Sequence, residues 1–131
     1  MNKIVVYWSG TGNTLEIANK IASDLDCEAV SVSDTTPENV LTNDLIIFGC
    51  PAMGAEVLEE SEFEPMFTEC EAKLSGKKIA LFGSYGWGDG EWMRNWEAEV
   101  SSHLVTKGLI VNGGASEIDE GSYALFIEAL K

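Results

Sequence analysis

The chain of 131 residues is 45% hydrophobic with only 3 prolines, so we expect one folded domain over 1–131 rather than disorder. Its formal net charge of −14 argues against nucleic acid as a partner, because phosphate backbones are bound by basic surfaces. The N-terminal segment lacks the features of a signal peptide, and no apolar stretch is long enough to span a bilayer, so we expect a cytoplasmic protein without a membrane partner.

Hydrophobic periodicity predicts strands that alternate with helices along the chain. In order, these are a strand over 3–8, a helix over 14–25, a strand over 28–33, a short helix starting near Pro37, a strand over 44–49, a helix over 63–74, a strand over 78–83, a helix over 92–104, a strand over 109–111 and a helix over 123–130. This alternation favours an α/β fold with a doubly wound, five-stranded parallel sheet and helices on both faces. Ligands of such sheets bind at the carboxyl ends of the strands, so the loops after strands one, three, four and five are the candidates.

The cysteines and the single histidine do not predict a metal site. Cys27, Cys50 and Cys70 are odd in number, widely spaced and without a CxxC pair, so we expect buried, reduced thiols. His103 is predicted near the end of a helix, where exposure or capping suits it better than catalysis. No Ser–His–Asp or Cys–His set suggests a hydrolase, so we predict neither a catalytic residue nor a metal ligand.

A short polar loop connects the first predicted strand to the first predicted helix. Two glycines allow a tight turn, and the helix N-terminus adds unpaired N–H groups and the positive end of its dipole, a combination suited to a phosphate. The loop contains no Lys or Arg, so neutral donors would have to hold the anion. The residues of this predicted phosphate loop are Ser9, Gly10, Thr11, Gly12, Asn13 and Thr14.

Competing phosphate motifs are not satisfied. The GxxxxGK[ST] motif of P-loop NTPases is absent, and the GxGxxG dinucleotide motif fails because Leu15 stands at the position of its third glycine. A loop that merely turns and caps the helix is the alternative interpretation of 9–13.

The segment 9–14 resembles the [ST]-x-T-G-x-T phosphate-binding signature of flavodoxins, and the run YWSGTGNT over 7–14 resembles their short-chain clostridial type. The resemblance extends to about residue 96 and implies strand order 2-1-3-4-5, with non-covalently bound FMN at the switch point. It also implies that two further loops sandwich the isoalloxazine ring. Their predicted cofactor-binding residues are Pro51, Ala52, Met53, Gly54, Ala55 and Glu56 after strand three, and Ser84, Tyr85, Gly86, Trp87, Gly88 and Asp89 after strand four.

Individual residues of these two loops suit the implied roles. Trp87 lies between two glycines, away from helical or strand periodicity, so we expect an exposed ring that stacks on the flavin, while Met53 suits the opposite face. The resemblance implies that the Gly54 peptide flips on reduction, so that its carbonyl accepts a hydrogen bond from flavin N5 and stabilises the neutral semiquinone. It implies that Glu56 accepts the flavin N3–H, although by sequence alone Glu56 equally fits a solvated charge. Ala55 departs from the acidic or polar residue that the clostridial pattern often has here.

Outside these loops the sequence is less informative about the cofactor. Trp92 and Trp96 lie about one helical turn apart and suit the core, and packing is also favoured for Trp8. The loop over 112–117 is shorter than the family usually has, and the insertion of long-chain flavodoxins is missing, so the cofactor contacts of this third loop stay open.

Ten of the 22 acidic residues follow strands three, four and five, near the expected cofactor edge. Part of this group is a solvated rim, but beside FMN it would lower the potential of the second reduction step and attract partners with a basic docking face. We therefore expect transient contacts with redox enzymes, and a monomer. The ten residues are Glu56, Glu59, Glu60, Glu62, Glu64, Asp89, Glu91, Glu117, Asp119 and Glu120.

The resulting prediction is a low-potential one-electron carrier that shuttles electrons between redox enzymes and is not itself an enzyme. The alternative is an FMN-dependent NAD(P)H–quinone or flavin reductase on the same fold, which needs a second pocket for which this chain has no residues to spare. A phosphorylation receiver domain is disfavoured, because that family has acidic residues at the end of strand one, where this chain has Trp8, Ser9 and Gly10.

Overall fold

The computed structural model describes residues 2–54 and 56–131, and these residues form five strands and five α-helices. Short 3₁₀ turns, Val32–Asp34 and Ala115–Glu117, follow the second and fifth strands. The elements in chain order are β1 Lys3–Tyr7, α1 Asn13–Leu25, β2 Glu28–Ser31, α2 Pro37–Val40, β3 Leu45–Gly49, α3 Phe63–Glu71, β4 Lys78–Tyr85, α4 Glu91–Glu99, β5 Leu109–Asn112 and α5 Glu120–Leu130.

The strands form one parallel sheet in the order β2-β1-β3-β4-β5, as predicted. The register aligns the carboxyl ends of the strands at one edge, where Tyr7 pairs with Ser31 on one side and with Gly49 on the other. On the far side of β3, Gly49 pairs with Phe82. The loops that follow β1, β3 and β4 therefore leave the sheet side by side.

Helices cover both faces of the sheet. Because successive strand residues point to opposite sides, neighbouring residues of one strand pack against different helices. Val5 and Ile47 face α1 and α5, whereas Val6 and Phe48 face α3 and α4. All five residues of β3 are buried, as expected for a central strand that is covered on both faces. The predicted fold class is confirmed.

Helix ends follow local capping rules where the sequence offers a cap. Pro37 is the first residue of α2, as predicted, and the Thr36 hydroxyl accepts a hydrogen bond from the Asn39 N–H at 3.2 Å. Predicted ends were less accurate, since β1 ends at Tyr7 and β2 at Ser31, where a 3₁₀ turn begins. In α3 the last residue is Glu71, although Leu74 beyond it is buried as the helical pattern predicted.

The prediction that the fourth helix reaches Leu104 is wrong. α4 ends at Glu99, the His103 N–H donates to the Val100 carbonyl at 2.8 Å, and Leu104 forms a parallel bridge with Ile79 of β4. His103 therefore lies in a segment beside the sheet rather than at a helix end. Val100 is buried although it lies beyond the end of α4, so its apolar character does not require a longer helix.

The cysteines have different environments. Cys50 and Cys70 are buried as predicted, but Cys27 is half-buried, which corrects the prediction for this residue. Burial raises the pKa of the Cys50 thiol to about 12 and that of the Cys70 thiol to about 11. Among the described residues, no cluster of His, Cys, Asp or Glu is arranged to hold a metal ion. Within the same ranges, no helix has the length and apolar character needed to cross a membrane.

Candidate cofactor site

The loop after β1 turns at Gly12, whose φ of 102° lies in the left-handed region that glycine tolerates, and α1 begins directly after it at Asn13. The Ser9 hydroxyl accepts hydrogen bonds from the N–H of Gly12 at 3.1 Å and from the N–H of Leu15 at 3.2 Å. Ser9 thus holds the turn and caps the first turn of α1, which is the alternative that the sequence left open for this loop.

Capping by Ser9 leaves other backbone donors of the loop unused. In residues 2–54 and 56–131, the N–H groups of Thr11, Asn13 and Thr14 donate to no protein acceptor. They lie at the N-terminus of a 13-residue helix, where the dipole favours negative charge. The loop therefore keeps the donors that an anion requires, in addition to its capping role.

The loop borders a cavity of about 410 Å³. Six lining residues were not among the predicted site residues: Tyr7, Trp8 and Leu15 on either side of the loop, Ser31 and Ser33 near the end of β2, and Glu62 ahead of α3. The sequence could have indicated Ser31 and Ser33, because strand order 2-1-3-4-5 places the carboxyl end of β2 beside that of β1. The complete lining is Tyr7, Trp8, Ser9, Gly10, Thr11, Gly12, Leu15, Ser31, Ser33 and Glu62.

The loop after β3 forms a small hairpin. Met53 and Val57 exchange two backbone hydrogen bonds, of 2.9 and 3.1 Å, and Gly54 lies exposed at the tip with a φ of 41°. Ala55, which the sequence placed at the cofactor, lies outside the described residues. Ala52 at the base of the hairpin donates its N–H to the Ser84 carbonyl of β4 at 3.0 Å, so the loops after β3 and β4 are neighbours.

Glu56 connects the hairpin to the loop after β4. Its Oε1 accepts hydrogen bonds of 3.1 Å from the N–H groups of both Gly90 and Glu91, at the start of α4. The side chain also lies against Gly88, where an added Cβ would come within 2.7 Å of the Glu56 carboxyl carbon. Glu56 is therefore not the freely solvated charge that the sequence left as an alternative.

The loop after β4 exposes one large aromatic ring. Trp87 is 66% exposed, as its position between glycines predicted. Ser84 and Tyr85, which the sequence assigned to this loop, instead continue β4, because they pair with Val111 and Asn112 of β5.

Gly86 and Asp89 in this loop are also exposed, and the Asp89 carboxylate forms an ion pair of 3.1 Å with Arg94. Of the other tryptophans, Trp92 and Trp96 are 2% and 1% exposed, as predicted for the core. Trp8 is half-buried against the core and donates from Nε1 to Glu62 at 3.1 Å.

The third loop, after β5, packs against α1, the helix that follows the loop after β1. The Ala115 N–H donates to the Glu16 carboxylate in the first turn of α1 at 3.1 Å. Gly114 is close enough to α1 that an added Cβ would lie 2.6 Å from the same carboxylate and 3.0 Å from Asn13 Oδ1. This loop therefore supports the first turn of α1.

A protein-family model for flavodoxin matches residues 5–129. The chain is 48% identical to a flavodoxin of Clostridium beijerinckii, with 88% of this chain and 90% of the relative covered, and 54% identical to a flavodoxin of Megasphaera elsdenii, with 78% of each covered. The chain belongs to the flavodoxin family. A solution structure of two-electron reduced Megasphaera elsdenii flavodoxin superposes with a TM-score of 0.86 at 41% identity, covering 98% of this chain and 99% of the other.

Membership of the family settles the class of activity. This flavodoxin binds FMN and carries electrons, and it is not an enzyme. The alternative of an NAD(P)H-dependent reductase on the same fold is not favoured, and the resemblance to the short-chain clostridial type is confirmed.

The acidic residues of this flavodoxin are not all part of a solvated rim. Eight of the ten acidic residues noted above are exposed, Glu56 is half-buried, and Glu59 is only 6% exposed. The Glu59 carboxylate accepts hydrogen bonds from the N–H groups of Ser61, Glu62 and Phe63, at 3.0, 2.8 and 2.8 Å, and from the Ser61 hydroxyl. Glu59 thus satisfies donors at the N-terminus of α3, a role that the sequence did not reveal.

These hydrogen bonds determine the ionisation of Glu59. Burial alone would raise the pKa of this carboxyl, but the hydrogen bonds from Ser61, Phe63 and Glu62 outweigh burial and hold the pKa below its ordinary value. Because the pKa of Glu59 is lower in the folded state, its ionised carboxylate stabilises the fold at any pH above the unfolded-state pKa of about 4.3. This contribution is lost as the pH falls through the folded-state pKa.

Glu59→Gln is therefore expected to lower the free energy of unfolding at neutral pH by about 2 kcal/mol, since a neutral amide accepts more weakly and turns one N–H₂ group toward N–H donors. The deficit relative to wild type should shrink as the pH falls below about 4. Urea unfolding across this pH range measures both effects. The exposed neighbour Glu60→Gln is the control, with an expected change within about 0.5 kcal/mol, and equal losses in the two variants would contradict the assignment.

Proposed function

We propose that this flavodoxin is a low-potential one-electron carrier that holds FMN non-covalently at the carboxyl edge of its sheet. The phosphate group of FMN is assigned to the loop from Ser9 to Thr14. The observation that carries this assignment is the set of unused N–H donors of Thr11, Asn13 and Thr14 at the start of α1, in a loop without a cationic side chain. Backbone N–H groups at the positive end of a helix dipole can hold the phosphate monoester of FMN without a cationic side chain.

The isoalloxazine ring is assigned to the space between the hairpin after β3 and the loop after β4. Trp87 is 66% exposed and offers its ring for stacking, while Met53 on the neighbouring hairpin suits the other flavin face. Glu56 keeps one oxygen on the start of α4, and its second oxygen, which accepts no hydrogen bond from residues 2–54 and 56–131, would accept the flavin N3–H. The remaining proposed contacts are Pro51, Ala52, Gly54, Ala55, Ser84, Tyr85, Gly86, Gly88 and Asp89.

Bound FMN supplies redox chemistry in two single-electron steps. The exposed tip residue Gly54 suits a peptide that reorients to present its carbonyl to flavin N5 when that nitrogen is protonated. Each carboxylate at about 10 Å opposes added negative charge by about 1.7 kcal/mol at an effective dielectric constant of about 20, or about 70 mV per electron. Several such carboxylates around bound FMN would lower the potential of the second step.

The same carboxylates select the partners. Eight exposed acidic side chains around the cofactor edge favour redox enzymes with basic docking faces, through fast and salt-sensitive contacts. Small contacts of this kind suit a carrier that must leave each partner after electron transfer. We place this carrier in the cytoplasm as a monomeric single domain over 1–131.

The assignment of the phosphate loop is tested by titrating the apoprotein with FMN and, separately, with riboflavin, which lacks the phosphate. Quenching of flavin fluorescence reports binding of either ligand. FMN is expected to bind at least about 100-fold more tightly, because several backbone N–H groups contact only the phosphate. Equal affinities for the two flavins would contradict the assignment.

Glu62→Gln is expected to tighten FMN binding by about three- to tenfold at low ionic strength. Glu62 lines the phosphate cavity, and its charge opposes a phosphate there, while the glutamine oxygen can still accept the hydrogen bond from Trp8 Nε1. The gain should fall at high salt, and riboflavin affinity should not change. Glu60→Gln, outside the cavity lining, is the control, and an equal gain for riboflavin would contradict this account.

A further inference from the structure

Cys50 is the residue from which the chain leaves β3 toward the hairpin, and it is held at three atoms. Its N–H donates to the Phe82 carbonyl of β4 at 3.1 Å. Its carbonyl accepts a hydrogen bond of 3.1 Å from Trp92 Nε1, and its Sγ accepts the Glu59 N–H at 3.3 Å. The next residue, Pro51, has no N–H to donate, so the Cys50 carbonyl is a main anchor at the start of this loop.

Trp92 lies in the first turn of α4 and reaches the bases of both flavin loops. Its indole approaches β4 closely, since a Cβ at Gly83 would lie 3.0 Å from Trp92 Cζ2. The same Cβ would lie 2.2 Å from the Cys50 oxygen, which the indole binds. Tyr85, the last residue of β4, packs on Trp92 with ring centroids 5.6 Å apart. One buried side chain therefore contacts Cys50 at the base of the hairpin and Tyr85 at the base of the loop that carries Trp87.

We propose that Trp92 is a positioning residue for the FMN site, and that its hydrogen bond to the Cys50 carbonyl fixes the hairpin of Met53 and Gly54 relative to the loop of Trp87. The proposal rests on the assignment of FMN to these loops under Proposed function. Without the indole donor, the Cys50 carbonyl would be buried and unpaired, so residues 50–52 would shift to find another donor. Such a shift moves the hairpin, because Met53 follows directly.

Trp96 on the same helix provides a matched comparison. It is as buried as Trp92, and its ring packs edge-on against Phe63 and Phe67 at centroid distances of 5.4 and 5.6 Å. Its Nε1, however, has no hydrogen-bond partner among the described residues. Replacing either tryptophan by phenylalanine removes the same volume and the same N–H group, but only the change at Trp92 breaks a link to the flavin loops.

The test compares Trp92→Phe with Trp96→Phe in the full chain. For each variant, we would measure the dissociation constant of FMN, the gap between its two reduction potentials when bound, and the unfolding of the apoprotein in urea. Trp92→Phe is expected to weaken FMN binding by about tenfold and to change the gap between the two reduction potentials. Trp96→Phe should keep the dissociation constant of FMN within about twofold of wild type and leave the gap unchanged. The gap is a readout that a purely structural role would not move.

The outcomes distinguish failure of the positioning role from failure of the proposed function. If wild type and Trp96→Phe bind FMN and Trp92→Phe matches them in affinity and potential gap, the positioning role is overturned while the proposed function stands. If wild type itself does not bind FMN, both fail. If Trp92→Phe does not fold, wild-type protein labelled with ¹⁵N decides the question, because FMN should shift the indole N–H resonance of Trp92 and leave that of Trp96 unchanged. Equal responses of the two resonances would overturn the proposal.

Discussion

Gly83→Ala is expected to lower the free energy of unfolding by about 3 kcal/mol or more, or to prevent folding altogether. A Cβ at this position would lie 2.2 Å from the backbone oxygen of Cys50, a contact that no rotamer change can relieve. That oxygen is already bound to Trp92 Nε1, and Cys50 is tied to β4 through the Phe82 carbonyl. The clash would therefore separate β3 from β4 at the site edge of the sheet.

The control for this substitution is Gly86→Ala in the adjoining loop. An added Cβ at Gly86 meets no described heavy atom within 4 Å, and the residue does not have a left-handed φ. We expect its unfolding free energy to stay within about 0.5 kcal/mol of wild type. Urea denaturation of both apoproteins, followed by circular dichroism, measures the difference, and similar stability of the two variants would contradict the close approach of Cys50 to β4.

Trp87→Ala is expected to weaken FMN binding by about 10- to 100-fold while leaving the apoprotein as stable as wild type. The ring is 66% exposed, so its loss removes little packing from the fold but would remove one face of the proposed flavin sandwich. Fluorescence titration with FMN and urea unfolding of the apoprotein measure the two quantities.

Trp87→Phe refines this test, because phenylalanine keeps an aromatic face of smaller area. Its loss of affinity should fall between those of wild type and Trp87→Ala. An unchanged dissociation constant in Trp87→Ala would remove this residue from the site. A large loss of apoprotein stability would show instead that the ring supports the loop.

The fold was predictable because two independent signals agreed. Apolar runs such as 44–49 and helical stripes such as 14–25 define the alternation of elements, and the motif over 9–14 supplies the family and with it the strand order. Ends of elements were harder to predict. Ser84 and Tyr85 lie in a glycine-rich run that is typical of a loop, yet pairing with β5 extends the strand through them.

Tertiary contacts also overrode a helical pattern at the end of α4. Val100 and Leu104 keep a spacing of four residues, but Leu104 reaches the sheet by pairing with Ile79 rather than by lying on a longer helix. A spacing argument cannot separate these solutions, because both bury the same side chains.

The acidic stretch shows why site residues were only partly predictable. Glu56, Glu59 and Glu62 are chemically alike, but they do different things: Glu56 binds the start of α4, Glu59 caps α3, and Glu62 lines the cavity beside the loop after β1. Their roles depend on which N–H groups the folded chain brings near each carboxylate. By contrast, the exposure of Trp87 followed from its glycine neighbours and needed no tertiary information.

The most direct test of a one-electron FMN carrier is an anaerobic potentiometric titration of the FMN-loaded protein, followed by its visible spectrum. We expect two resolved one-electron steps, the second at a lower potential than that of free FMN and rising when salt screens the exposed carboxylates. A single two-electron step at the potential of free FMN, insensitive to salt, would contradict the account.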